Sequence, residues 1–218
     1  MAENTELISA QDNPEQAALQ LAPATNLLQN SKLLNQIFKL SNIYAGSSMV
    51  PDSYRGKPDN CFVALELASR MDVSPVLVMQ NLYIVQGKPS WAGQACKALV
   101  DGSGKFRDSE YVMTGNVEDG TRGCYLQAVS TRTGKVVKGT EITLKMANDE
   151  GWMGKKGSKW KTMPEQMLKY RAAAFFARTE CPEVLMGFQT ADETEDVYGA
   201  EPQQAEKITI TLEDTTNA

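Results

Sequence analysis

Residues 163–180 read MPEQMLKYRAAAFFARTE, the most strongly patterned stretch of the chain. Leu168, Ala172 and Phe175 fall at i, i+4 and i+7, which predicts an α-helix with one apolar stripe that needs a core to cover it. Thr162 and Glu165 have the Thr-x-x-Glu spacing of a capping box, and Pro164 suits a first helical turn. Arg171 and Arg178 share a second stripe with Ala174 between them. Small side chains on that stripe would let a phosphate chain approach the helix closely. Lys169 points to another surface.

Immediately upstream, residues 151–161 read GWMGKKGSKWK. From Trp152 to Arg178 the chain carries Lys155, Lys156, Lys159, Lys161, Lys169, Arg171 and Arg178 against a single acid, Glu165, a net +6. Phosphate backbones attract such charge, and release of their counterions supplies most sequence-independent affinity. Glycines at 151, 154 and 157 allow backbone N–H groups to come near an anion. Trp152 and Trp160 flank the lysines and could stack on bases of any identity. The bland alternative is a solvated lysine loop with two tryptophans packed on a core. The sequestered charge and the glycine spacing favour the nucleic-acid reading. Arg55 and Lys57 in SYRGKPDN, and Arg132, Lys135 and Lys138 in a predicted hairpin, are weaker candidates that loop solubility explains as well.

Further outward, Leu27 to Leu40 predicts an amphipathic helix, and AGSSMVPDSYRGKPDN a loop. Asn60 is a plausible N-cap for the helix CFVALELASRMD, and Ser74-Pro75 opens a short helix, PVLVMQ. NLYIVQGKPSW reads as strand, turn, strand, and AGQACKALV as a short helix. Phe106 to Met113, Gly123 to Ser130 and Val136 to Leu144 are strand candidates, the last two joined through TRTGK as a hairpin. The expected fold class is α+β, a small and mostly antiparallel sheet with a hairpin packed against helices. Residues 1–26 are expected to be disordered, 27–189 to form the core, and 190–218 to be a structureless acidic tail.

The 218 residues carry a net charge of −5, but the acids are unevenly placed. Glu3, Glu6, Asp12 and Glu15 lie in the first 24 residues, and Asp192, Glu193, Glu195, Asp196, Glu201, Glu206, Glu213 and Asp214 lie after Gln189, with Lys207 the one base in either end. The part between them is therefore positive, and the whole-chain charge misleads. Histidine is absent, which removes Ser-His and Cys-His catalysis and histidine-ligated zinc. Cys61, Cys96, Cys124 and Cys181 form no CxxC pair and read as reduced thiols at apolar positions. The polar, acidic start has no signal-peptide pattern, and no run approaches a membrane span; a cytoplasmic protein is expected. A P-loop needs GxxxxGK[ST], and neither GSGKF at Gly102 nor GKKGS at Gly154 has that spacing. A metal-dependent nuclease commonly places a lysine two residues beyond a carboxylate, and no Asp/Glu-x-Lys occurs. The densest carboxylate run, DETED at 192–196, falls in the expected tail. No catalytic residue, metal or cofactor is expected.

Three long blocks, PDNCFVALELASRM, SPVLVMQNLYIVQGKPSWAGQACKALV and PEQMLKYRAAAFFARTECPEVLMGF, resemble the RecT family of phage single-strand annealing proteins. The resemblance spans Leu27 to Phe188. It implies ATP-independent annealing of complementary DNA in homologous recombination in a bacterial host. It further implies a homo-oligomeric ring or helical filament, with single-stranded and annealed duplex DNA as ligands, an exonuclease partner and a host single-strand-binding protein. The family's basic groove would correspond here to the loop around Lys155 to Lys161 and the helix bearing Arg171 and Arg178. Two alternatives are a metal-dependent nuclease acting on DNA and a passive protector of single strands, and composition alone does not separate the latter from an annealer.

Overall fold

The computed structural model describes residues 30–85, 87–155 and 157–198. Seven α-helices and seven strands lie among them, an α+β fold. The expected disordered segment 1–26 and the end of the expected tail, from residue 199, lie outside the described residues, as does Lys156. The chain divides between Gln80 and Asn81 into two units.

In the first unit α1 (Ser31–Ala45) is capped by Asn30, whose side chain accepts from the Leu33 N–H at 3.1 Å. Ile37, Ser41 and Ala45, four residues apart, form its buried face. α1 packs on α2 (Pro58–Met71), and Phe38 stacks on Phe62 with ring centroids 5.0 Å apart. α2 starts two residues before the predicted cap at Asn60. Pro58 takes the first helical position, where a missing N–H costs nothing, and the Asn60 side chain donates instead to the Ser53 carbonyl at 2.7 Å. Asp72, left-handed at φ 53°, ends the helix, and α3 (Pro75–Asn81) follows.

The second unit holds two sheets where one was expected. β1 (Leu82–Val85) pairs antiparallel with β2 (Lys88–Trp91), and β2 pairs in parallel with β7 (Gln189–Thr190). The larger sheet orders β3 (Phe106–Thr114), β4 (Gly123–Ser130) and β5 (Val136–Lys138), with β6 (Ile142–Thr143) also on β4. The predicted hairpin is present in the register Ala128↔Val137, its turn passing through Gly134 at φ 68°. The predicted strand Val136–Leu144 is interrupted at Gly139, and Leu144 opens α5 (Leu144–Asp149). A Cβ at Gly139 would lie 2.9 Å from the Phe176 ring, so the backbone there sits directly against the central helix.

That helix is α6 (Pro164–Glu180). It packs on β4 and on α4 (Ala95–Gly102). Leu168, Ala172, Ala173, Ala174, Phe176 and Ala177 are all buried, so it is enclosed on more than the single predicted stripe. Leu168 and Ala172 share a core with Cys124, Ile142, Ala147, Trp152 and Trp160. The capping box at Thr162/Glu165 does not form: Met163 is the N-cap, and Glu165 accepts from Arg122 Nε at 2.9 Å.

Order continues past Gln189, against the expectation of a tail beginning at residue 190. Thr190 closes β7, and α7 (Ala191–Tyr198) follows. A second Thr-x-x-Glu motif makes the difference. The Thr190 N–H donates to Glu193 Oε2 at 2.9 Å, and the Glu193 N–H donates to Thr190 Oγ1 at 3.4 Å, a capping box in both directions. Thr194 Oγ1 lies 2.8 Å from Ser90 Oγ in a buried contact, which fastens this end of α7 to β2.

Candidate nucleic-acid interface

Gly151, at φ 74°, turns the chain into a 3₁₀ turn at Trp152–Gly154. Ser158 Oγ donates to the Trp152 carbonyl at 2.7 Å, and the Thr162 and Met163 N–H groups donate to the Lys159 carbonyl at 3.1 and 2.8 Å. The basic segment is thus a hydrogen-bonded loop and not an open tether.

Its two tryptophans point inward. Trp152 is 7% exposed and Trp160 4%, with ring centroids 5.4 Å apart. This corrects the expectation that they offer open faces to bases: both belong to the core beneath α6. The Arg171 guanidinium lies 4.0 Å from the Trp152 ring centroid on that ring's face, a cation–π contact. Lys155, Lys159 and Lys161 are exposed, carried by a loop whose aromatic residues are anchored.

The arginine stripe is not open either. Arg171 is only 4% exposed and Ala174 1%. Arg171 Nη2 is 2.6 Å from Asp196 Oδ2, and Lys155 Nζ contacts the other oxygen of the same carboxylate. Arg178 Nη2 is 2.6 Å from Glu193 Oε2. Both arginines therefore face carboxylates of α7, the segment expected to be structureless. The Nε atoms of Arg171 and Arg178 are buried without a hydrogen-bond partner. Between loop, α6 and α7 lies a cavity of about 170 Å³, lined by Trp152, Lys155, Lys159, Arg171, Asp192 and Asp196 among others. Burial raises the Asp192 carboxyl above the usual aspartate range, and Arg171 partly offsets it.

The remaining candidates fall elsewhere. Lys169 is half-buried on α6 near enough to Cys124 to lower that thiol's otherwise raised pKa. Arg132 and Lys135 are exposed in the β4–β5 turn, and Lys138 sits 3.9 Å over the Tyr125 ring. In the first unit Arg55 bonds Asp52 at 3.0 Å and the Val50 carbonyl at 3.1 Å, while Lys57 is exposed at the start of α2. Asp192, Glu193 and Asp196 are the site residues that sequence reasoning placed outside the fold; the Thr190/Glu193 spacing was the available signal for them.

Among the described residues no group of three or more acids and cysteines is arranged to hold a metal ion, and no helix is long and apolar enough to cross a membrane. No family model, no curated protein and no solved structure matches the chain.

Proposed function

We propose that this chain binds single-stranded DNA by its phosphates and anneals complementary strands without ATP, in the manner of the RecT family that its sequence blocks resemble. The observation that carries the reading is the exposed set Lys155, Lys159 and Lys161 on a loop held by buried Trp152 and Trp160. Because the loop backbone is already held, these cations meet a phosphate chain without ordering of the loop at the moment of binding. A strand gripped by its backbone keeps its base edges available, and a second strand is sampled by pairing. The protein lowers the barrier by screening repulsion between the strands and pre-ordering one of them. On this reading the chain acts as a ring or filament of identical subunits in a bacterial cytoplasm, alongside an exonuclease and a host single-strand-binding protein.

The test is duplex formation between two complementary oligonucleotides in EDTA, without nucleotide. Faster annealing than the protein-free rate is expected. Strand binding with no acceleration would favour the passive protector, and Mg²⁺-dependent strand cleavage would favour the nuclease; either overturns annealing.

A further inference from the structure

α7 is held unevenly along its length. Its first turn is built in by the Thr190/Glu193 capping box and by Thr194 against Ser90. Its last turn carries Glu195, Asp196 and Val197, all exposed residues. No basic residue lies in that turn, so Glu195 and Asp196 stand at the end of the helix where the backbone dipole disfavours negative charge. What holds Asp196 is its carboxylate, shared between Lys155 Nζ and Arg171 Nη2. Two cations converging on two oxygens of one anion is the geometry with which a protein grips a phosphodiester. Lys155 belongs to the exposed lysine set, and Arg171 stands behind it over Trp152.

We propose that Asp196 occupies the seat of a DNA phosphate, and that the last turn of α7 is a built-in competitor which single-stranded DNA displaces. The inference rests on the strand-binding reading above and assigns that site its regulator. Glu193 is not part of the competitor: buried and bonded to Thr190, it keeps Arg178 in place while the helix end frays. Displacement exchanges one anion for another on the same two cations. It therefore costs little when the arriving strand also reaches Lys159 and Lys161, and it discourages lone anions that cannot.

The experiment compares wild-type full-length chain with Asp196→Asn and Glu195→Gln, using a fluorescent oligothymidylate at low and high salt. Both substitutions remove one negative charge from the same turn, but only Asp196 bridges the two cations. Asp196→Asn is expected to bind about tenfold more tightly at low salt, with the gap closing as salt rises. Glu195→Gln is expected to change affinity by less than about twofold. Equal gains would reduce the effect to net charge, and an unchanged or weaker Asp196→Asn would make the bridge structural; either overturns the proposal. A wild-type chain that binds no oligonucleotide at any salt brings down the strand-binding reading itself. Amide hydrogen exchange of the wild type needs no substitution. Oligonucleotide should speed exchange at residues 195–198 and leave 190–194 unchanged, and slowed or unaltered exchange at the last turn refutes displacement.

Discussion

Replacing Lys159 and Lys161 together by alanine separates charge from fold, because both side chains are exposed and neither makes an ion pair among the described residues. The structural role of Lys159 is its carbonyl, which accepts from Thr162 and Met163 and which alanine keeps. The melting free energy should therefore move by no more than about 0.5 kcal/mol. DNA affinity should respond differently. For single strands each neutralised phosphate contributes about −0.7 to the slope of log K against log salt, so losing two contacts flattens the slope by about 1.4. Between about 50 and about 200 mM salt, three loop lysines would cost the wild type about 18-fold in affinity, and the one remaining would cost the variant about threefold. Contacts elsewhere on the protein multiply both numbers equally and leave a difference of about sevenfold. Fluorescence anisotropy with a labelled single strand across that range measures both slopes. Parallel slopes with intact folding would refute the assignment of phosphate contacts to this loop.

Two further outcomes concern buried groups. Cys96, Cys124 and Cys181 are buried free thiols, with Cys96 pushed up to about 12 and the other two to about 11 by desolvation. A thiol reagent at neutral pH should find them unreactive in the native chain and react with them promptly in denaturant, and fast native labelling would contradict their burial. Asp192 has its carboxyl raised by burial, so the folded state holds that proton more tightly than the unfolded chain does. Ionised Asp192 then costs stability above the raised value, whereas below the ordinary aspartate value of about 4 it is neutral in both states and costs nothing. Asp192→Asn should thus raise the melting temperature at pH 7, with the gain fading as pH falls toward about 4, and a gain equal at both values would refute the assignment.

Much of the fold was legible because its signals are local. The runs from Phe106 and from Gly123, and a glycine where the turn of TRTGK requires positive φ, were sufficient to place β3, β4 and the hairpin. The paired motifs Thr162-x-x-Glu165 and Thr190-x-x-Glu193 show where local reading stops. At the first, Arg122 arrives from a residue 43 positions away and takes the glutamate, so no box forms. At the second, no such competitor intervenes: Arg178 bonds the glutamate while leaving the threonine its partner, and the box starts a helix in a segment whose composition suggested none. The candidate site divided in the same way. Exposed lysines can be read from charge density, but whether Trp152 faces water or Arg171 is decided by α6 and α7 meeting across the loop, and spacing along the chain does not encode that.

The parallel pairing of β2 with β7 also sets an order of events in the life of each molecule. Ser90 and Thr194 touch although they stand 104 residues apart, and Trp91 Nε1 waits for the Leu185 carbonyl, 94 residues on. A ribosome needs about 5 to 20 seconds to make that stretch, so β2 is synthesised long before its second partner exists. Such a long closure is entropically late even after the chain is released. For the last part of that delay, the 25 residues from Arg171 to Asp196 or about 1 to 5 seconds of synthesis, Arg171 and Arg178 are already made while their carboxylates are not. The growing chain passes through an interval in which the arginines of α6 are uncovered, and the arrival of α7 ends it.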